Sequence, residues 1–355
     1  YALAHELSVS QEATLHDFYT ICPQITLTDV TGRYCGEQGL AQCHDCLHKQ
    51  PVEGATSIEA WREFYGQWLT ECQRVIVPSH DAATRIKRYY PDLNVVAAGH
   101  PDQLNVVYPT PNAIHLREGE TLRVAVLGAL SPIKGADTLE ATAECASEKN
   151  APVTFKLFGY SYRALKSLPN LTSSGIYQQE ELPDLINEWA PHVVWFPAQL
   201  PETYSYTLST CLSLGLPVIC PNLGAFPERL AHREMSWVLP WDTSPDAFVE
   251  HFTTLQNTNT LPDATTSASP GPGASFYLDD YAATLNDLPV RNVPNRLGHQ
   301  WQLHAQSALL INTGWRHSLV NMLYRLRSHP WLRPLATRLP PGFQRRLKSR
   351  ILRER

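Results

Sequence analysis

Between residues 120 and 255 the sequence leaves room for little except a parallel sheet. Short apolar runs ending at Gly or Pro alternate with stretches of helical periodicity. The runs are LRVAVLG (122–128), VTFKLFG (153–159), HVVWFPA (192–198) and PVICP (217–221), with a shorter GIYQ (175–178) among them. Helices are predicted near 136–148, over ELPDLINEWA and over YTLSTCLSLG. Strands separated by helices specify βαβ units with a parallel sheet. These sheets take ligands at the carboxyl ends of their strands. Gly128, Gly159, Pro197 and Pro221 stand at those ends.

Residues 1–110 carry mixed signals. EATLHDFYTICP reads as a short strand ending in polar residues, followed by a Gly- and Cys-rich excursion over 31–54. Trp61, Phe64, Tyr65, Trp68 and Leu69 then fall at helical spacing. RVIVPS reads as a buried strand, and DAATRIKRYYP as a helix stopped by Pro91. Residues 257–275 are polar and rich in Pro, Gly and Ser, the composition of a linker or exposed loop. The expected organisation is therefore a first domain over 1–110 with a Cys-rich insertion at 22–46, a second over 111–256, the linker, and C-terminal helices with a basic tail over 276–355.

Composition narrows the function classes. Hydrophobic residues make up 43% and charged residues 18%, enough for ordinary cores. No run approaches the ~18 apolar residues of a membrane-spanning helix. The net charge of -5 is unevenly spread: Arg316–Arg355 holds eleven Lys and Arg against the single acid Glu354. A basic tail on an acidic body points to an anionic membrane or nucleic acid at the tail, not to a nucleic-acid-binding body; no nucleic-acid partner is expected. There Trp315, Leu319, Met322, Leu323 and Leu326 are interleaved with Arg316, Arg325 and Arg327, a pattern that suits a membrane interface, packing back across the first domain, or a link to a further domain. The expected location is cytoplasmic, peripheral at the inner face of the membrane through 315–355.

Cys22, Cys35, Cys43 and Cys46 are spaced C-x12-C-x7-C-x2-C. That spacing admits a structural zinc site, buried free thiols or a disulfide. Cys72, Cys145, Cys211 and Cys220 lie in apolar surroundings and read as buried free thiols.

The most specific segment is 197–229, PAQLPETYSYTLSTCLSLGLPVICPNLGAFPER. Ser205, Tyr206 and Thr207 open a helix there, so first-turn N–H groups and the helix dipole suit a diphosphate. Glu202, just ahead, can accept hydrogen bonds from sugar hydroxyls. In VAVLGALSPIKGAD, Lys134 and Gly135 at a helix start make a second phosphate site, with close backbone approach plus one mobile cation.

Pro201, Glu202, Tyr204, Ser205, Gly215, Pro217, Val218, Gly224, Pro227 and Glu228 resemble the C-terminal domain of retaining, glycogen-synthase-like (family four) GT-B glycosyltransferases of bacteria. The resemblance implies an α/β, GT-B type fold: two Rossmann-like domains facing a cleft, the C-terminal one a doubly wound parallel sheet. It implies that Glu202 holds the donor sugar and Lys134 the donor pyrophosphate. Gly128, Gly135, Gly159, Tyr204, Ser205, Tyr206 and Thr207 would complete the donor site. The family's second Glu, which holds the ribose, is replaced by Thr210, and an Arg often found ahead of the Lys is absent. His16 and Asp17 resemble a His-Asp pair facing the cleft from the first domain, although His16 also reads as a structural strand end. Ser79 resembles a cleft-lining Ser and equally reads as a helix cap.

The resemblance spans about residues 10–255. A complete first domain would carry about 100 residues more, so the chain is expected to be the later part of a longer polypeptide. The implied activity is transfer of a sugar from a nucleotide-diphosphate sugar to a glycan or lipid-linked acceptor, with retention and no metal required, in bacterial surface polysaccharide synthesis. The alternative is a non-catalytic nucleotide-sugar-binding or scaffold module. A sugar-nucleotide epimerase is a third reading.

Overall fold

The structure is a computed structural model that describes Ala4, Glu6 and residues 9–100, 108–257 and 275–281. All of these belong to one compact unit, Tyr1–Ala283. Most of the expected linker, the C-terminal helices beyond Tyr281 and the basic tail with its membrane-interface stretch lie outside the described residues.

The first sheet has three strands, β1 (Glu12–Thr14), β2 (Arg74–Val77) and β3 (Val95–Ala97), parallel and in that order. Helices α1 (Leu40–Lys49) and α2 (Ile58–Thr70) lie between β1 and β2, and α3 (His80–Tyr89) between β2 and β3. Ser57 and Ser79 cap α2 and α3 by accepting from the N–H groups of Ala60 and Ala82. Ser79 thus takes the capping role of its two readings. Ala13, Leu15, Phe18, Ile21, Leu69, Val75, Val77 and Ile86 form this sheet's core.

The second sheet comprises β4 (Leu122–Leu130), β5 (Val153–Ser161), β6 (Leu171–Ser173), β7 (Val193–Trp195), β8 (Val218–Pro221) and β9 (Ser236–Leu239). All pairs are parallel, in the order β6-β5-β4-β7-β8-β9. The chain starts in the middle, winds outward through β5 and β6, then returns to the other side of β4. This is a doubly wound sheet with its switch point between β4 and β7.

Alternate residues of β4 serve two cores. Val124 and Val126 face Phe155, Trp195, Phe248 and Phe252, while Ala125 and Leu127 face Phe158, Phe196, Leu208 and Leu212. The first layer is closed by α4 (Ala136–Glu148) and α8 (Pro245–Asn257), the second by α5 (Leu182–Trp189) and α6 (Tyr206–Ser213). A short α7 (Phe226–Arg229) follows β8.

Some elements differ from expectation. The edge strand is Leu171–Ser173 rather than GIYQ, whose Ile176 is exposed. The first strand is only Glu12–Thr14, because the Phe18 and Ile21 turns that follow fold back through local hydrogen bonds. Helix α1 sits inside the Cys-rich excursion; it buries none of its residues, so no apolar stripe announces it.

Candidate functional site

The two loops at the switch point are held together by their backbones. The loop after β4 carries Lys134, and the loop after β7 carries Glu202. Gln199 N–H donates to the Ile133 carbonyl at 2.8 Å. Gly135 presses against the β7 loop so closely that an added Cβ would lie 2.1 Å from the Pro197 carbonyl oxygen. Its φ of +84° also favours glycine. On the other side, Ala225 N–H donates to the Glu202 carbonyl at 2.8 Å. The turn before it needs Gly224, where a Cβ would come within 2.5 Å of the Glu202 nitrogen.

Lys134 Nζ consequently lies 3.4 Å from Glu202 Oε1, with the lysine side chain 49% exposed and the glutamate 20%. Burial pushes the Glu202 carboxyl above its ordinary range, and the Lys134 ammonium offsets part of that rise. Ser205 caps α6, its hydroxyl accepting from Leu208 N–H at 3.2 Å. The N–H groups ahead of Leu208, on Tyr206 and Thr207, stand outside the intrahelical ladder, at the positive end of the helix.

These residues line a cleft of about 540 Å³ that brings together His16, Lys134, Glu202, Tyr204, Ser205, Tyr206 and Thr207. The Thr203 hydroxyl donates to the His16 carbonyl at 2.6 Å, bringing the exit of the first sheet to the second. A second cross-connection is Glu228, whose carboxylate accepts from the N–H groups of His80 and Asp81 at 3.0 and 2.9 Å. Asp17 is placed differently: its Oδ1 accepts from Tyr19 N–H at 2.9 Å, a local turn, and it is not in the cleft lining.

A smaller cavity of about 280 Å³ adjoins the cleft through Tyr206 and Thr207. Gly128, Gly159, Tyr177 and Thr210 are among the residues lining it. The Thr210 hydroxyl donates to the Tyr206 carbonyl at 3.3 Å, which leaves its oxygen lone pairs for a ligand donor. Gly135, placed under Pro197, supports the cleft without lining it.

Sequence reasoning missed His100, which lines the cleft, stacks on Tyr206 (5.5 Å between ring centres) and meets Tyr204 edge-on. Nothing around it in AAGHP marks it as a site residue. It also missed Thr203 and Arg229, whose contacts are long-range.

The zinc expectation for Cys22, Cys35, Cys43 and Cys46 gains no support from the geometry. Among the described residues no group of three or more His, Cys, Asp or Glu is arranged to hold a metal ion. All eight cysteines are free. Burial, with lesser contributions from the neighbouring cysteines, drives the Cys22 thiol up to about 12 and the Cys35 thiol to about 11. The Arg62 guanidinium donates to Cys43 Sγ at 3.7 Å, and His44 is paired with Glu59. Of the four cysteines expected to be buried, Cys211 and Cys220 are; Cys72 and Cys145 are partly exposed.

Fold and site together define an α/β protein with a ligand cleft at the switch point of a doubly wound sheet. No protein-family model matches the sequence, and no curated protein matches it. Several solved structures are similar in shape. TarM shares 12% identity over 70% of this chain and 44% of its own, with a TM-score of 0.47. Anabaena HepE in complex with UDP shares 14% over 81% of this chain and 75% of its own, with a TM-score of 0.48. Sucrose-phosphate synthase from Thermosynechococcus elongatus shares 15% over 72% and 61%, with a TM-score of 0.46. The chain thus spans less than half the length of TarM. No helix among the described residues is long and apolar enough to cross a membrane.

Proposed function

We propose that the chain is the donor-binding part of a retaining GT-B glycosyltransferase of the glycogen-synthase-like kind, taking a sugar from a nucleotide-diphosphate sugar. The observation that carries this reading is the convergence of Lys134, Glu202 and the start of α6 on one cleft. An ammonium and first-turn N–H groups suit the two phosphates, and they are in place before charge develops on the leaving group. Glu202 accepts from the sugar's hydroxyls, and its raised pKa fits a carboxylate that gains stabilisation when those donors arrive. The adjoining cavity takes the nucleoside, with Thr210 at the ribose. His16 faces the sugar from the first sheet. No protein nucleophile is required, because the departing phosphate can accept the acceptor's proton.

The acceptor is a glycan or a lipid-linked glycan, and the setting is bacterial surface polysaccharide synthesis. One observation favours a second reading, a module that binds nucleotide sugar without turnover: Thr210 supplies only a neutral contact where the family has a Glu. Product analysis with a panel of sugar nucleotides separates the two. Transfer or slow donor hydrolysis, lost in Lys134→Ala and Glu202→Ala, supports the enzyme. Binding without any turnover supports the module, and binding by neither phosphate nor sugar nucleotide refutes both.

A further inference from the structure

Arg229 is 1% exposed and no carboxylate pairs with it among the described residues. Its Nη1 donates to the Ser205 carbonyl at 2.8 Å and its Nη2 to the Ser209 hydroxyl at 2.9 Å. Its guanidinium lies 4.4 Å from the centre of the Tyr204 ring. Its Nε, like that of Arg233, is buried with no hydrogen-bond partner among the described residues. The neighbouring Glu228 does not neutralise it, since that carboxylate is taken by the α3 backbone.

This is a costly arrangement for the protein by itself. A buried cation without a counter-charge is destabilising. The positive end of a helix is also the wrong place for a cation. Arg233, one helical turn along the sequence, shows the contrast. It too is buried, but it donates to the Leu216 carbonyl just past the other end of α6, where the dipole favours positive charge. Of these two arginines, Arg229 is the one that adds its charge at the end of α6 that opens on the cleft. Among the described residues that line the cleft, Lys134 is the one lysine or arginine, so they supply an anion with two phosphates a single permanent positive charge.

We infer that Arg229 is a positioning residue for a pyrophosphate group: it fixes Tyr204 and Ser205 from behind the cleft wall and raises the positive potential at the α6 start, so that the bound anion becomes its counter-ion. This rests on the donor-site reading above. It deepens that reading by assigning the second positive charge to a residue that touches no ligand.

The test is calorimetric titration of the full chain with inorganic pyrophosphate and, separately, with a panel of nucleoside diphosphates. Arg229→Gln keeps donors for the Ser205 carbonyl but removes the charge; Arg229→Lys keeps the charge. The Gln variant is expected to bind pyrophosphate about tenfold or more weakly, while Lys restores most of the affinity. Ser209→Asp offers a second route, since it places a carboxylate on the guanidinium. It is expected to raise the melting temperature and weaken pyrophosphate binding, whether or not Arg229→Gln folds. Unchanged affinity in Arg229→Gln or Ser209→Asp, or equal losses in Gln and Lys, would overturn the inference. Wild-type chain that binds no pyrophosphate overturns it too. Arg229-dependent pyrophosphate binding with no affinity for any nucleoside diphosphate would leave the inference standing and defeat the donor reading.

Discussion

Lys134 Nζ stands 3.4 Å from Glu202 Oε1 across the switch point of the second sheet, and the two residues come from loops pinned to each other by the backbone hydrogen bond from Gln199 N–H to the Ile133 carbonyl. The pair is therefore set by the fold and not by chance meeting of two long side chains. Its electrostatics are asymmetric: the glutamate is the more buried partner and is only partly compensated.

Lys134→Ala is expected to leave the fold intact, because the side chain is half exposed and packs little. Nucleoside diphosphate affinity should fall about tenfold to a hundredfold, measured by calorimetry, with neutral nucleoside binding unchanged. Equal loss for both ligands would mean the lysine serves structure instead of charge.

Glu202→Gln tests the burial cost directly. The folded carboxyl titrates above its ordinary range, so the stability linked to its proton is complete below the unfolded pKa. It is lost as pH rises through the folded pKa. The Gln variant should therefore melt above wild type at neutral and alkaline pH, by roughly 2–4 °C per kcal/mol relieved, while losing activity. The difference should vanish below about pH 4. A variant that is less stable at all pH values would contradict this.

Gly224→Ala places a methyl group against the Glu202 backbone at a left-handed φ of +67°. A loss of about 1–3 kcal/mol in denaturant unfolding is expected, with a weakened sugar-nucleotide affinity, since Glu202 must shift. Gly119→Ala is the control for a left-handed glycine with nothing near its Cβ, and should affect stability alone.

Glu228→Gln removes a charge from the N-terminus of α3, where both carboxylate oxygens accept backbone N–H groups. About 0.3–2 kcal/mol of stability should be lost. Because this contact sits between the two sheets' elements, kcat is expected to fall while nucleoside diphosphate Kd does not move. A change in Kd with constant kcat would contradict that division.

The strands β4, β5, β7 and β8 were legible because each is a short, mostly apolar run closed by Gly or Pro, interrupted only by Arg123 in β4 and by Thr154 and Lys156 in β5, as a sheet covered on both faces favours. Lys134, Glu202 and Ser205 were legible for a related reason, being placed by turns at strand ends. The edge strands β6 and β9 were not. LTS buries only Leu171 and SWVL buries none of its four residues fully, so neither period nor composition marks them. Arg229 was illegible because a charged residue in sequence defaults to the surface; its burial depends on Tyr204, Ser205 and Ser209, more than fifteen residues away. Asp17 shows the converse: the resemblance of the His-Asp pair pointed to a cleft, but a neighbouring backbone N–H claims the carboxylate.

The most direct measurement is calorimetric titration of the wild-type chain with a panel of nucleoside diphosphates beside the matching neutral nucleosides. At least one diphosphate should bind at least about tenfold more tightly than its nucleoside, with the preference shrinking in Lys134→Ala and as salt is added. A chain that binds no diphosphate, or binds it no better than the nucleoside, would contradict the claim that this cleft is built for pyrophosphate.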